Sequence, residues 1–252
     1  MSKFDGHICI AGKNKCAIDF VKYIKKKINK NSILILPNKS DKGRDGWQPS
    51  LRKFAKIRKM KIVQLDQLYK LKNLIFISIE YETLVDTRKF KSKKLYNFHF
   101  SLLPKYRGCH TNFLQIYNGE KFSGVTLHKI NNGIDEGPII GSKKFLIKKN
   151  ANALDNYQNL MKNSLILLKQ NLRKLIENQY VIKNQNLNKG TYFPRKFINY
   201  EKMKVFNIKK IKRSDFNKIK AFIFPPLQLP IVNNRTVRQI KFVNKKYKIF
   251  YD

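Results

Sequence analysis

The chain has 252 residues, enough for one sizeable core or for one large domain with a small appendage, but too few for two full-sized domains. Its 54 lysines and arginines against 16 acids give a formal net charge of +38, which makes a polyanionic partner the first thing to consider. The lysines are spread through every segment beside abundant Asn and Ile, as in a proteome with A/T-rich codons, so nucleic acid is the secondary reading and phosphorylated small molecules the favoured one. The first elements alternate: "HICIAG" (7–12) reads as a strand, "CAIDFVKYIKKKI" (16–28) as an amphipathic helix, "SILILP" (32–37) as a strand and "PSLRKFAKIRK" (49–59) as a helix. "KIVQL" (61–65), "NLIFISI" (73–79) and "LYNFHF" (95–100) continue the strands. Apolar strands with helices between them predict an α/β fold: a Rossmann-like, mainly parallel sheet covered by helices on both faces. Such a sheet binds its ligand at the carboxyl ends of its strands.

"SGVTLHKI" (123–130) and "PIIGSKKFLI" (138–147) alternate like half-exposed strands, with "NNGIDEG" as a turn between them. In 153–179 apolar residues recur three and four apart, the stripe of one long helix. Beyond it lie a turn-rich aromatic segment, a short helix opened by Ser214 or Asp215, and strands joined by Asn-rich turns ending in a β-hairpin. The expected division is a catalytic core at 1–185 and a small C-terminal subdomain at 186–252. Cys9, Cys16 and Cys109 form no CxxC pair, so neither a disulfide frame nor a zinc site is supported, and no metal is expected. No run approaches the roughly 18 apolar residues of a membrane span and no apolar leader opens the chain, so no membrane association and a cytoplasmic location are expected.

Residues two apart on a strand share a face, so in "NFHFSLLPKYRG" (97–108) Asn97 and His99 project together, with Phe98 opposed. Alone, that histidine would read as an ordinary core residue. Asp135, in the later block "GVTLHKINNGIDEGPII", changes the reading. The first block resembles the Asn-x-His-x-Ser-x-Leu-Pro-x-Tyr-Arg-Gly signature of the formyltransferases that use 10-formyltetrahydrofolate, and the second resembles their Asp-bearing block. The resemblance implies an Asn97/His99/Asp135 catalytic triad. In such chemistry an amide can donate to the oxyanion of the attacked formyl group, an imidazole can act as base or as donor, and a carboxylate can hold the ring. His128 and His110 are weaker candidates, His128 as a polar residue of the sheet surface.

The resemblance further implies that 10-formyltetrahydrofolate, as co-substrate, lies against main-chain groups of the loops 77–84 and 128–135. That nominates Ile79, Glu80, Tyr81, Asn132 and Gly133. "IAGKN" (10–14), with Lys13 and Asn14, can present N–H groups and an ammonium to phosphate. "DKGRDGWQPSLRKFA" (41–55), with Trp47, and "GTYFPRKFINYEKM" (190–203), with Tyr192 and Arg195, resemble segments of bacterial sugar N-formyltransferases. Lys105, Arg107 and His110 complete the candidate substrate contacts. The substrate implied is a nucleotide-linked (dTDP or UDP) amino sugar. "IKAFIFPPLQLP" (219–230) most resembles the enzymes acting on 4-amino-4,6-dideoxyglucose, with a 3-amino sugar as the alternative. A homodimer is expected. A methionyl-tRNA enzyme needs a full C-terminal barrel that the remaining residues do not supply, and a mere nucleic-acid binder has no use for the triad.

Overall fold

The computed structural model describes residues 4–207, 215–225, 227–244 and 246–252. In chain order the first part gives β1 (His7–Gly12), α1 (Asn14–Lys25), β2 (Ile33–Pro37), α2 (Leu51–Ile57), β3 (Lys61–Ile62), α3 (Leu65–Tyr69), β4 (Leu74–Ile79) and β5 (Lys94–His99). Then come β6 (Arg107–Gly108), α4 (Thr111–Tyr117), β7 (Phe122–Lys129), β8 (Ile139–Leu146) and the long α5 (Ala153–Glu177). The last part holds β9 (Tyr192–Phe193), α6 (Tyr200–Met203), β10 (Val205–Phe206), α7 (Asp215–Phe222), β11 (Ile231–Val232), β12 (Arg235–Val243) and β13 (Lys246–Tyr251).

The main sheet has seven strands in the order β3-β2-β1-β4-β5-β7-β8. Every pairing from β3 to β5 is parallel, whereas β7 runs antiparallel to β5, so the mainly parallel α/β sheet expected from the sequence is present. The apolar runs explain it, because strands covered on both faces need no polar side. Ile8, Cys9, Ile10 and Ala11 of β1 are fully buried, and all six residues of β4 are buried. One face packs Cys9, Leu34, Phe76 and Leu95 into a cluster with Phe90. On the other, Phe98 meets Phe20 of α1 edge-on, with ring centroids 4.9 Å apart. Each such buried ring contributes about 1.5–3 kcal/mol relative to exposure. Gly12 closes β1 where a Cβ would stand 1.9 Å from the Ile79 carbonyl oxygen, so only glycine lets β1 and β4 end side by side.

Residues 61–65, read as one strand, divide into a two-residue β3 and the start of α3. The reason is local: the Gln64 N–H donates to the Gln67 side chain at 2.8 Å, a capping interaction that starts a helix. α7 begins at Asp215; Ser214, the other expected cap, lies outside the described residues. The Asn-rich turns are present, with Asn233 and Asn234 both at positive φ between β11 and β12. These two strands belong to a four-stranded sheet, β10-β11-β12-β13, that ends in the expected hairpin.

Contacts divide the chain into two compact units. The first comprises the chain up to His99 with Val125–Lys143 and Lys162–Leu187; the second comprises Phe100–Gly124, Lys144–Met161 and Asn188–Asp252. The C-terminal segment thus groups with two stretches drawn from within residues 1–185, rather than standing alone. Cys9 and Cys16 are buried, and burial pushes both thiols well above the ordinary cysteine range. Among the described residues no helix is long and apolar enough to cross a membrane.

Candidate active site

In the first unit β5 presents Asn97 and His99 on one face, and β7 lies against it with Asn97 opposite His128 and His99 opposite Thr126. Residues directly opposite on paired strands share a face. His128 therefore joins the cluster, and it is buried rather than set on the sheet surface as the sequence reading had it. The isolated sequence hides this because the β5–β7 register is not visible in either strand.

Asp135 reaches the same place from the loop after β7. Its Oδ1 accepts a hydrogen bond from Asn97 Nδ2 at 3.1 Å, and its Oδ2 lies 3.4 Å from His99 Nδ1. The Asn97 amide nitrogen is also 3.2 Å from His128 Nε2. Both amide hydrogens of Asn97 are thus directed into the cluster, and donation to a substrate oxygen requires one to be exchanged. The three residues expected to act together do converge.

Two side chains passed over in the sequence hold this loop and its neighbour. Gln185 Nε2 donates to the carbonyls of Asp135 and Gly137 at 2.8 and 2.7 Å, fixing the backbone that carries the carboxylate. Asp135 itself sits at φ +55°, a conformation that an isolated aspartate adopts at some cost, so the brace has something to hold. Asn38, fully buried after β2, donates to the Glu80 carbonyl at 2.9 Å and accepts from the Glu82 N–H at 3.3 Å. It sets the loop after β4, where Glu80 also has positive φ. As lone polar residues in loop sequence, neither carries a motif.

The nominated folate loops are ordered by such contacts. Ile79 is fully buried, and the half-buried Tyr81 packs against the core cluster with its ring 6.2 Å from Phe76. Burial raises the Tyr81 hydroxyl pKa. Asn132 accepts from Thr87 Oγ1 at 2.7 Å, tying the second loop to the first, and Gly133 lies where a Cβ would meet the Glu136 carboxylate. Lys13 forms the extended N-cap of α1 and Asn14 follows at φ +62°. The Trp47 loop is shaped by Asp41, whose carboxylate accepts from Gly43 N, Ser50 Oγ and Arg52 N, and it leaves Trp47 37% exposed. Gln48 of that loop accepts from the Lys15 N–H at 3.2 Å, joining it to the start of α1.

The second unit collects the other candidates. The turn after Pro104 is paired along its backbone with the aromatic segment: Arg107 N donates to Thr191 O and Cys109 N to Phe193 O, each at 2.8 Å. β6 and β9 thereby set Arg107 opposite Tyr192, with the guanidinium 5.9 Å from the ring centroid. Gly108, at φ +88°, passes the Phe193 carbonyl where a Cβ would stand at 2.3 Å. Tyr106 stacks on Phe193, and burial pushes its hydroxyl up to about 12. Lys105 and Arg195 are exposed. Both ring nitrogens of His110 are engaged: Nε2 donates to the Arg195 carbonyl at 2.7 Å, and Nδ1 lies 2.9 Å from the Tyr200 hydroxyl. It braces the Arg195–Tyr200 segment. Among the described residues no cluster of His, Cys, Asp and Glu is arranged to hold a metal ion.

A mainly parallel α/β sheet carries an Asn/His/Asp cluster at the carboxyl end of β5, and the comparisons make this a formyl-transferring type of fold. The formyl transferase family model matches residues 82–171. WlaRD, a sugar 3N-formyl transferase solved in the presence of dTDP and 5-N-formyl-THF, is 42% identical with a TM-score of 0.89, covering 95% of this chain and 87% of that one. The Helicobacter canadensis N-formyltransferase, solved with folinic acid and dTDP-3-aminofucose, is 41% identical with a TM-score of 0.89 over 95% and 88%. Among curated relatives, the bifunctional polymyxin resistance protein ArnA of Wigglesworthia glossinidia brevipalpis is 36% identical over 46% of this chain and 18% of its own length. The methionyl-tRNA formyltransferase of Kosmotoga olearia is 33% identical over 62% and 50%. The chain thus spans half or less of these curated relatives. It belongs to the formyltransferase family.

Proposed function

We propose that this chain transfers the formyl group of 10-formyltetrahydrofolate to the amino group of a dTDP-linked dideoxy sugar. The observation that carries the reading is the convergence of Asn97, His99 and Asp135, in a chain 41–42% identical to enzymes described as N-formyltransferases solved with dTDP compounds and formylated folate. In the reaction the amine nitrogen bonds to the formyl carbon, and the bond from that carbon to folate N10 breaks. The amine loses a proton and the folate nitrogen gains one.

Attack places negative charge on the formyl oxygen, and a preorganised donor there is worth about 3–4 kcal/mol of barrier. His99, with Nδ1 turned to Asp135, serves the reacting groups through Nε2, as base toward the amine or as donor to the oxygen. Asp135 holds the ring and relays the proton that the folate nitrogen takes up. Asn97 orients Asp135 and supplies an amide group beside the formyl carbon. The folate loops fit this role, since Asn38 and Gln185 fix the main-chain groups that would read the pterin ring. Arg107, Tyr192 and Arg195 are assigned to the nucleotide, as aromatic face and cations.

The sequence resemblance at 219–230 favours a 4-amino sugar, whereas of the two solved relatives of 41–42% identity one is described as a sugar 3N-formyl transferase and the other is solved with dTDP-3-aminofucose. The overall identity is the broader observation, and we favour the 3-amino group. A homodimer is part of the proposal, supported by Val243 and Phe250 at 37% and 42% exposure on the C-terminal hairpin, and light scattering tests it. The function itself is tested by incubation with 10-formyltetrahydrofolate and dTDP- or UDP-linked 3- and 4-amino sugars, followed by mass spectrometry. Gain of one formyl group by the dTDP-linked 3-amino sugar is expected; no formylation of any member of the panel refutes the reading.

A further inference from the structure

His128 is the fourth side chain of the cluster, and the proposed chemistry gives it no task. We propose that it is a positioning residue that holds the Asn97 amide in a single orientation, nitrogen toward Asp135. The kinetic consequence rests on the formyl-transfer reading; the hydrogen-bond pattern rests on geometry alone.

The His128 Nδ1 atom lies 2.8 Å from the carbonyl oxygen of Lys129. A carbonyl only accepts, so Nδ1 carries a hydrogen, and the neutral ring then holds a lone pair on Nε2. Nε2 also lies 3.5 Å from Asp135 Oδ1, a contact that a second ring hydrogen would favour, so the protonation of Nε2 is what the test below reads. That lone pair faces Asn97 Nδ2 at 3.2 Å, and the same nitrogen faces Asp135 Oδ1 at 3.1 Å. Turning the amide over would set its oxygen against two acceptors and replace two hydrogen bonds with two repulsive contacts. A protonated Asp135 could present either an acceptor or an O–H donor to the amide and would no longer dictate its orientation. His128 as the Nδ1–H tautomer presents an acceptor whatever the state of Asp135, so the amide keeps its orientation if Asp135 takes up a proton during turnover. His128 is 2% exposed and its ring is anchored at both nitrogens, which suits a fixed template better than a proton carrier.

The test uses the full chain labelled with 15N-histidine. It has four histidines, so the ring signals are few, and His128→Gln assigns the one in question. His128 is expected as the tautomer protonated on Nδ1, and His110, which donates through Nε2 to Arg195, as the opposite tautomer in the same spectrum. A proton on His128 Nε2 overturns the proposal. In steady-state assays His128→Leu is expected to lower kcat by between about ten- and a hundredfold while KM for the sugar nucleotide moves less than about twofold. His128→Gln, which retains an acceptor, is expected to recover part of kcat. A folded His128→Leu enzyme with unchanged kcat overturns the proposal; if that variant fails to fold, the spectrum and the Gln variant decide. A wild-type chain that formylates no amino sugar refutes the function reading and leaves the tautomer result standing.

Discussion

Gly137 passes the backbone of Lys129 so closely that a Cβ at Gly137 would stand 1.8 Å from the Lys129 carbonyl oxygen. That same oxygen receives the His128 Nδ1 hydrogen, and the Lys129 N–H donates to Pro138 O at 2.9 Å. The close approach is a matter of space, and the neighbour is backbone, which cannot swing aside as a flexible side chain would. Gly137→Ala is expected to cost about 1–3 kcal/mol of stability as an overpacked site and to lower kcat by disturbing the His128 anchor. Urea denaturation and steady-state kinetics check both; wild-type stability in the variant contradicts the packing account.

The Gln185 brace makes a charge-specific prediction. Its amide nitrogen donates to two carbonyl oxygens, which a carboxylate cannot do. Gln185→Glu is expected to be destabilised by roughly 1–3 kcal/mol and to lose more activity than Gln185→Met, which removes the bonds without adding an acceptor. Thermal denaturation beside the formylation assay measures the two. Equal behaviour of the Glu and Met variants would remove the brace from the account.

His110 should separate binding from chemistry. Its ring holds the Arg195 carbonyl and the Tyr200 hydroxyl, whose pKa burial pushes up to about 12. His110→Phe is expected to raise KM for the sugar nucleotide by about three- to tenfold with kcat within about twofold, since the segment assigned to the nucleotide loosens while the triad does not. A variant in which kcat falls and KM holds would place His110 in the chemistry instead.

The loop after β4 should loosen in acid. Burial tends to raise the Glu82 pKa, but hydrogen bonds from the Ser40 hydroxyl and N–H and from the Lys39 N–H, with the Lys13 charge, bring it below the ordinary glutamate value. A carboxyl whose folded pKa is depressed contributes stability that is present above its unfolded pKa and is lost as pH falls through the lower folded value. The window lies below about pH 4.3, and Ser40→Ala is expected to move the loss to higher pH. Hydrogen exchange in residues 80–82, followed across that range, checks the sign. No shift in the alanine variant would contradict the assignment.

Much of the fold is legible because β1, β2 and β4 are nearly continuous apolar runs between amphipathic helices, a pattern set by burial on both faces. The Asn97/His99 pair is legible from the two-residue repeat of a strand. His128 is not, since its partner depends on the register between strands joined through a long segment. Asn38 and Gln185 escape for a different reason: they act by turning carbonyls and N–H groups, which leaves no residue-type signature in the loops they brace. The grouping of residues 100–124 and 144–161 with the C-terminal segment is likewise invisible, because it is made by distant pairings such as Arg107 with Thr191.

The most direct measurement pairs transfer with binding in one variant. His99→Asn, assayed with 10-formyltetrahydrofolate and a dTDP-linked 3-amino sugar, is expected to show no product by mass spectrometry while dTDP binding, followed by calorimetry, stays near that of the unaltered chain. Formylation at the unaltered rate by that variant would contradict the claim that the imidazole beside Asp135 carries the chemistry.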